Sequence, residues 1–378
     1  MLFALLTVAE TWPLASHPAR MSRNDNGDTV LNEWALAWVV HQAPRAPLHL
    51  FDGNIFHPER NTLAYSESMI VQAAMAAPLF WLGASPVLAY NLVLMAGFAL
   101  TGWAMSLVIW RWTGSWAAAI TSGILFAFNS HTFARMPHLQ AQHVEFLPLA
   151  LLALDTLLRA PQPRHAVRLA MWFVLQALTS VYLLVFTAIS LTAAAVARPE
   201  DWAGRRFGRV APAVLLSAAL AAVVLLPFML PYWRVSHEQE LTRTLEDASG
   251  FAAGWRNYLS SVSQLHYNWW SYKVISSPAL FPGAVGSILA LVAIVRGVAF
   301  TDPRARMCLV FGVVGVVLSF GTNVPGYATL YRFVPMLQAI RAVSRFGYLG
   351  IVAVAVLAGF GVAELRKLTS ARLWAPLA

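Results

Sequence analysis

Apolar segments that reach or approach the length of a bilayer crossing recur along the whole chain, at about 86–110, 116–130, 143–158, 168–180, 182–197, 210–230, 280–295, 307–320 and 346–363. A helix needs roughly 20 apolar residues to cross the hydrocarbon core. Inside it every backbone N–H and C=O must be satisfied within the segment, which leaves helices or closed barrels. The segments read as helices. Charge is correspondingly scarce: 11% of residues are charged and 58% hydrophobic, against about a quarter and a half in soluble domains. The expected fold is all-α, a single polytopic membrane domain over 1–378 with about ten transmembrane helices.

Cys308 is the one cysteine, which excludes a disulfide framework and a thiolate metal site. Of the cations only Lys273 and Lys367 are lysines, and the formal net charge is +9. In a chain this apolar, a basic balance reports loops facing an anionic leaflet rather than nucleic acid. Residues 1–15 lack a basic start and a small-residue cleavage site. They read as the outer part of a first transmembrane helix.

The arginines orient the chain. With the first helix running in to out and 66–83 lying along the interface, the short inner loops hold 14 of the 26 cations, as the positive-inside rule requires. If 66–83 crossed, that bias would reverse. Three sizeable outer regions result, at 16–85, 231–279 and 321–345, and the chemistry is expected there because loops carry function on a rigid scaffold. The pair 168–180 and 182–197 reads as a hairpin with its tip at Thr179-Ser180-Val181-Tyr182.

The first outer region holds the first acidic cluster, Asp25, Asp28 and Glu33. Asp28 opens an amphipathic helix carrying Trp34 and Trp38, four apart and so on one face. Two readings stand for Asp28: a helix cap, or a carboxylate facing a reaction at the membrane surface. His57, Glu59, Asn61, Tyr65 and Glu67 within 51–68 suit either a substrate cleft or an ordered loop. The turn at 131–146 crowds three histidines with Arg135, Gln142 and Glu145. The His138–His143 spacing is a weak metal signal, and interfacial polarity between spans is the default. Arg332, Arg341 and Arg345 stand just before the last span. Arginine matches phosphate bidentately, so they suit a lipid-phosphate clamp; the alternative is headgroup snorkelling.

No G-x-x-x-x-G-K-[ST] loop, G-x-S-x-G elbow or H-E-x-x-H motif is present. An outward-facing enzyme without nucleotide needs a pre-activated substrate, and a lipid-linked phosphate ester is the one a bilayer supplies.

In layout the chain resembles the GT-C class of membrane glycosyltransferases, in which a first helix leads into a large outer loop with an acidic residue and interfacial helices. "NGDTVLNEW" resembles the start of that loop, "PLFWLGASPVLAYN" the entry to the second span, and "ARMPHLQAQHVEFLPLALLALD" the outer turn between the third and fourth. "FDGNIFHPERNTLAYSE" and "FVPMLQAIRAVSRFGYLG" resemble a bacterial group close to the YfhO-like proteins. Relatives often carry an acid where this chain has His138, Gln140 and Gln142, and several have a lysine near the hairpin tip that is absent here.

The resemblance implies an inverting transfer of sugar from a polyprenyl-phosphate donor to an envelope glycan, lipid or protein acceptor, with no cofactor and no metal. Asp28 would be the base, with Asp25 and Glu33 beside it. His57, Glu67, Arg135, His138, Gln142 and Tyr182 would line the substrate site, and Arg341 or Arg345 would hold the leaving phosphate. It places the chain in a bacterial inner membrane with the site facing the periplasm or exterior. The competing readings are a transporter or flippase of a lipid-linked or anionic substrate, with ionisable residues at mid-span, and a non-catalytic assembly protein.

Overall fold

The computed structural model describes residues 1–22, 27–239 and 244–374, and side chains as far as residue 368. Among these residues the fold is helical throughout, with no strand. In chain order the helices are α1 (Leu2–Glu10), α2 (Asp28–Gln42), α3 (Ile70–Trp81), α4 (Pro86–Thr113), α5 (Trp116–Ala127), α6 (Ser130–Ala134), α7 (Phe146–Arg159), α8 (Pro163–Thr179), α9 (Val181–Val196) and α10 (Pro199–Trp202). There follow α11 (Phe207–Glu238), α12 (Leu245–Gly250), α13 (Trp255–Leu259), α14 (Gln264–Tyr267), α15 (Ala284–Val295), α16 (Val298–Thr301), α17 (Pro303–Ser319), α18 (Tyr327–Phe333), α19 (Pro335–Gln338) and α20 (Tyr348–Trp374).

Each apolar stretch of the sequence coincides with a helix, and local chemistry explains where they start and stop. Ser85 caps α4 by accepting from the Leu88 N–H, and Pro86 takes the first helical position, where no amide partner is needed. Gly114, at φ +68, ends that helix in the left-handed region, and Ser115 caps α5 at once. The hairpin expected at Thr179–Tyr182 is present. Ser180 is its entire connection, and its hydroxyl accepts from the N–H groups of Tyr182 and Leu183.

Among the described residues three regions are long and apolar enough to cross a membrane: Pro86–Thr113, Gly204–Glu238 and Val343–Leu368. Ile70–Trp81, Val181–Val196 and Ala284–Val295 are apolar but shorter. The three long ones differ in company. The helix that includes α20 is central, packed on α5, α15 and α17. α11 is mostly uncovered, with Leu215, Val223 and Leu226 exposed, the pattern of a helix whose apolar solvent is lipid.

Close approach of α17 to α20 depends on absent side chains. A Cβ at Gly312 would lie 2.3 Å from the Cβ of Ala353, and one at Gly315 would lie 2.4 Å from that of Leu349. Small residues of this kind let helices pack without a hydrophobic driving force between them. Two ends of the bundle result. At one lie the hairpin tip, α2, α6 and the start of α20. At the other lie Asp155, Arg159 and Arg198, at or just beyond the far ends of α7 and α9.

Candidate functional site

A cavity of about 50 Å³ opens at the hairpin-tip end, with Arg135, Arg345, Glu67, His131, Tyr182 and Tyr348 in its wall. It has room for several waters.

Arg135 sits just after α6, a five-residue helix capped by Asn129, whose side chain accepts from the Thr132 N–H. Gln142 fixes this turn from behind by donating to the carbonyls of Thr132 and Arg135, at 3.3 and 2.7 Å. Gly97 lets α4 pass close, since a Cβ there would lie 2.9 Å from the Gln142 carbonyl oxygen. Gln142 is therefore a positioning residue behind the cavity and not part of its wall.

The Arg135 Nε is buried without a hydrogen-bond partner. Burial, then the neighbouring charge of Arg345, pushes its guanidinium down to about 9. Arg345 lies over the Tyr182 ring, 4.6 Å from its centroid, and the Tyr182 hydroxyl accepts from the Ala342 N–H at 3.4 Å. Neither arginine is in an ion pair within 4 Å among the described residues. Two guanidiniums thus share a recess with no carboxylate directly on them.

Glu67 faces them from the first outer region. It is held at the start of α9, accepting from the Ser180 hydroxyl at 2.8 Å and the Val181 N–H at 2.7 Å. Burial raises its carboxyl above the usual carboxylate range, against the pull of those hydrogen bonds. Tyr232 on α11 brackets the same loop: its hydroxyl donates to the Ser66 carbonyl and accepts from the Ser68 N–H, both at 3.1 Å.

Two of the turn's three histidines, His131 and His138, lie beside the arginines and are held neutral. His131 Nδ1 is 2.9 Å from the Ala279 carbonyl, so that nitrogen carries the proton and Nε2 keeps a free lone pair. Burial, then Arg135, pushes it down to about 3. His138 Nε2 is 3.3 Å from Asp28 Oδ2. A carboxylate only accepts, so Nε2 is the protonated nitrogen, and the buried Nδ1 is left without a partner. Burial and the same two arginines push His138 down to about 3.

Asp28 resolves differently from its cap reading. Gly27, at φ +98, occupies the cap position, no side-chain cap bond forms, and Asp28 is the first helical residue. Its carboxylate turns to His138 beside the cavity, and it acts electrostatically on Arg135.

Of the remaining expected site residues, Asp25 lies outside the described residues. Glu33 points elsewhere and accepts from the Ser22 hydroxyl at 3.3 Å. His57 is exposed and outside the cavity wall. The 51–68 stretch is an ordered loop built on Asp52, which accepts from the Asn61 N–H at 3.0 Å and pairs with His49; Glu67 alone of it reaches the cavity. Trp34 and Trp38 stack, and their indole N–H groups tie down this loop through Asn54 and the Leu50 carbonyl. Arg341 is exposed over the Phe251 ring, 5.2 Å from its centroid, so it does not join Arg345. The His138–His143 spacing is split: His143 is buried between Glu145 Oε1 and the Val93 carbonyl.

Sequence reasoning missed Arg135 as the partner of Arg345, and it missed the roles of His131, Tyr348 and Tyr232. His131 and Arg135 are one turn apart, a spacing that foretells a shared face. Nothing local foretells Arg345 opposite them. Comparison with protein families, curated proteins and solved structures returns no match.

Proposed function

We propose that the chain is a GT-C-type glycosyltransferase of a bacterial inner membrane. It crosses about ten times, lays interfacial helices on the outer leaflet, and moves a sugar from a polyprenyl-phosphate donor to an acceptor on the periplasmic or exterior face. The observation that carries this reading is the pair Arg135 and Arg345: two half-buried arginines, with no ion-pair partner among the described residues, lining one small cavity. Like charges held together out of water call for an anion, and arginine suits a phosphate better than any other side chain.

The donor phosphate sits between the two arginines, and its sugar extends toward Asp28. His138 Nε2–H holds one oxygen of Asp28, and the other takes the proton of the acceptor hydroxyl. The new bond forms at the anomeric carbon as its bond to the phosphate oxygen breaks, with inversion. The electron pair leaves with the lipid phosphate, whose growing charge the two guanidiniums stabilise.

The test is transfer of radiolabel from polyprenyl-phosphate sugar by the purified protein in nanodiscs with an envelope extract. Label appearing in an acceptor, and lost in Asp28→Asn, supports the reading. Donor that binds and crosses between leaflets without cleavage overturns it in favour of a transporter.

A further inference from the structure

Residues 255–275 are built inside out. Three of their serines face inward: Ser260, Ser261 and Ser271 are fully buried. The Ser271 hydroxyl accepts from the Ser261 N–H at 2.7 Å and donates to the Ser261 carbonyl at 2.9 Å. Ser260 makes the same two-way contact with Ser276, at 2.9 and 3.0 Å. The large apolar side chains face outward. Leu265 is 75% exposed and Trp269 73%, with Trp255, Val262, Tyr272 and Ile275 also open. In water this is the wrong way round, and a contiguous exposed apolar face marks an interaction surface.

The chemistry of the face selects its partner. Tryptophan and tyrosine favour the level of lipid headgroups. Arg256 lies over the Trp255 ring at 5.6 Å and Lys273 over the Tyr272 ring at 5.5 Å, cations stacked on the aromatics that would carry them into the headgroup layer. No carboxylate occurs between Asp247 and Asp302. The face is therefore aromatic and purely cationic, the complement of an anionic leaflet.

The lobe is also clamped to the cavity wall. The Ser261 hydroxyl donates to the Ser130 hydroxyl at 3.1 Å, and the Val262 N–H donates to the same oxygen at 2.9 Å. The Ala279 carbonyl, just beyond the lobe, accepts a hydrogen bond from His131 Nδ1–H.

We infer that 255–275 is a membrane-seated lobe: its aromatic face lies in the headgroup layer of an anionic leaflet and anchors the wall of the Arg135–Arg345 cavity to the bilayer surface. This holds whatever reaction the cavity performs.

The test uses the full chain in nanodiscs of phosphatidylcholine, with and without phosphatidylglycerol. Cys308 is buried, so a cysteine introduced at Leu265, Trp269 or Tyr272 takes a nitroxide label selectively. These side chains are exposed, and three sites guard against one variant misfolding. Glu59→Cys, on an exposed loop, is the aqueous control. The lobe labels are expected to be reached by oxygen and shielded from a nickel chelate, at a depth of about 5–10 Å. Phosphatidylglycerol is expected to shift them deeper, and Arg256→Gln with Lys273→Gln to abolish that shift. Labels as open to nickel as the control overturn the inference. Labels shielded from both reagents overturn it in favour of a protein partner, and a depth insensitive to phosphatidylglycerol overturns the anionic preference.

Discussion

The two ends of the helix bundle use the same residue types to opposite effect. At the end bearing Arg198, the buried charges are matched. Arg198 is 1% exposed and bridges Asp155, at 2.6 Å, and Asp201. Arg159 adds a contact to Asp155 at 3.0 Å and Arg206 one to Asp201 at 3.3 Å. The cluster ties α7 to α10 and also touches the Met307 sulfur of α17. At the cavity end two arginines meet, one carboxylate, Glu67, accepts from the first amide of a helix, and the other, Asp28, pairs with a histidine. A closed set of charges fastens helices. An open set leaves interaction energy for a ligand, and the shifted titration of Glu67, His131, Arg135 and His138 makes the second end a candidate site.

That contrast can be broken by experiment. The largest effect is expected at Asp28. Asp28→Asn should lower transfer by about 10²–10⁴-fold, the usual worth of base catalysis, at unchanged thermal stability. Since Gly27 and not Asp28 holds the cap position, Asp28→Ala should cost no more than a few tenths of a kcal/mol beyond it. Thermal unfolding that drops sharply in either variant would make Asp28 structural.

Next comes the paired end. Arg198→Met leaves the buried Asp155 and the half-buried Asp201 with only part of their neutralisation. The loss should be near the low end of the about 3–5 kcal/mol for breaking a buried pair, because Arg159 and Arg206 remain. Chemical denaturation in detergent measures it, and binding of lipid phosphate to the surviving folded protein should be unaltered.

Arg135→Gln and Arg345→Gln invert that outcome. Each should weaken polyprenyl-phosphate binding by about tenfold to a hundredfold, the worth of one charge-assisted hydrogen bond, while stability holds or rises as like charges part. Arg341→Gln is the control and should bind normally, since Arg341 lies over Phe251. Equal weakening in all three variants would dissolve the distinction between them.

The smallest expected effect is a pH slope. His131 falls from 6.5 to about 3 in the folded protein. Between those values the unfolded chain binds the extra proton, so stability declines as pH falls below about 6.5. Glu67, raised by burial, works in the opposite sense and gains as pH falls. His131→Gln removes only the first contribution, so its melting temperature should fall less steeply than that of the native protein from pH 7 to pH 5. Parallel curves would mean that His131 is open to water.

Much of the fold was legible because it is local. Apolar runs, Ser85-Pro86, Gly114-Ser115 and the Ser180 connection specify helices and their ends through backbone hydrogen bonds a few residues apart. The hairpin at Thr179–Tyr182 and the helix beginning at Asp28 belong to the same class. The sequence also determined which residue types stand near the cavity: Asp28, Glu67, Arg135, His138, Tyr182 and Arg345 all meet there. What it could not specify was their pairing. Asp28 finds His138 and Arg345 finds Arg135 only because α2, α6 and the start of α20 pack at one end of the bundle. Those contacts depend on close approaches such as Gly97 on Gln142, which no residue pattern announces. The same packing sent Arg341 outward to Phe251 though it stands four residues from Arg345. Helical periodicity gives neighbours along one helix, but between Arg341 and Arg345 the chain is not an α-helix, and tertiary contact alone decides which guanidinium lines the cavity.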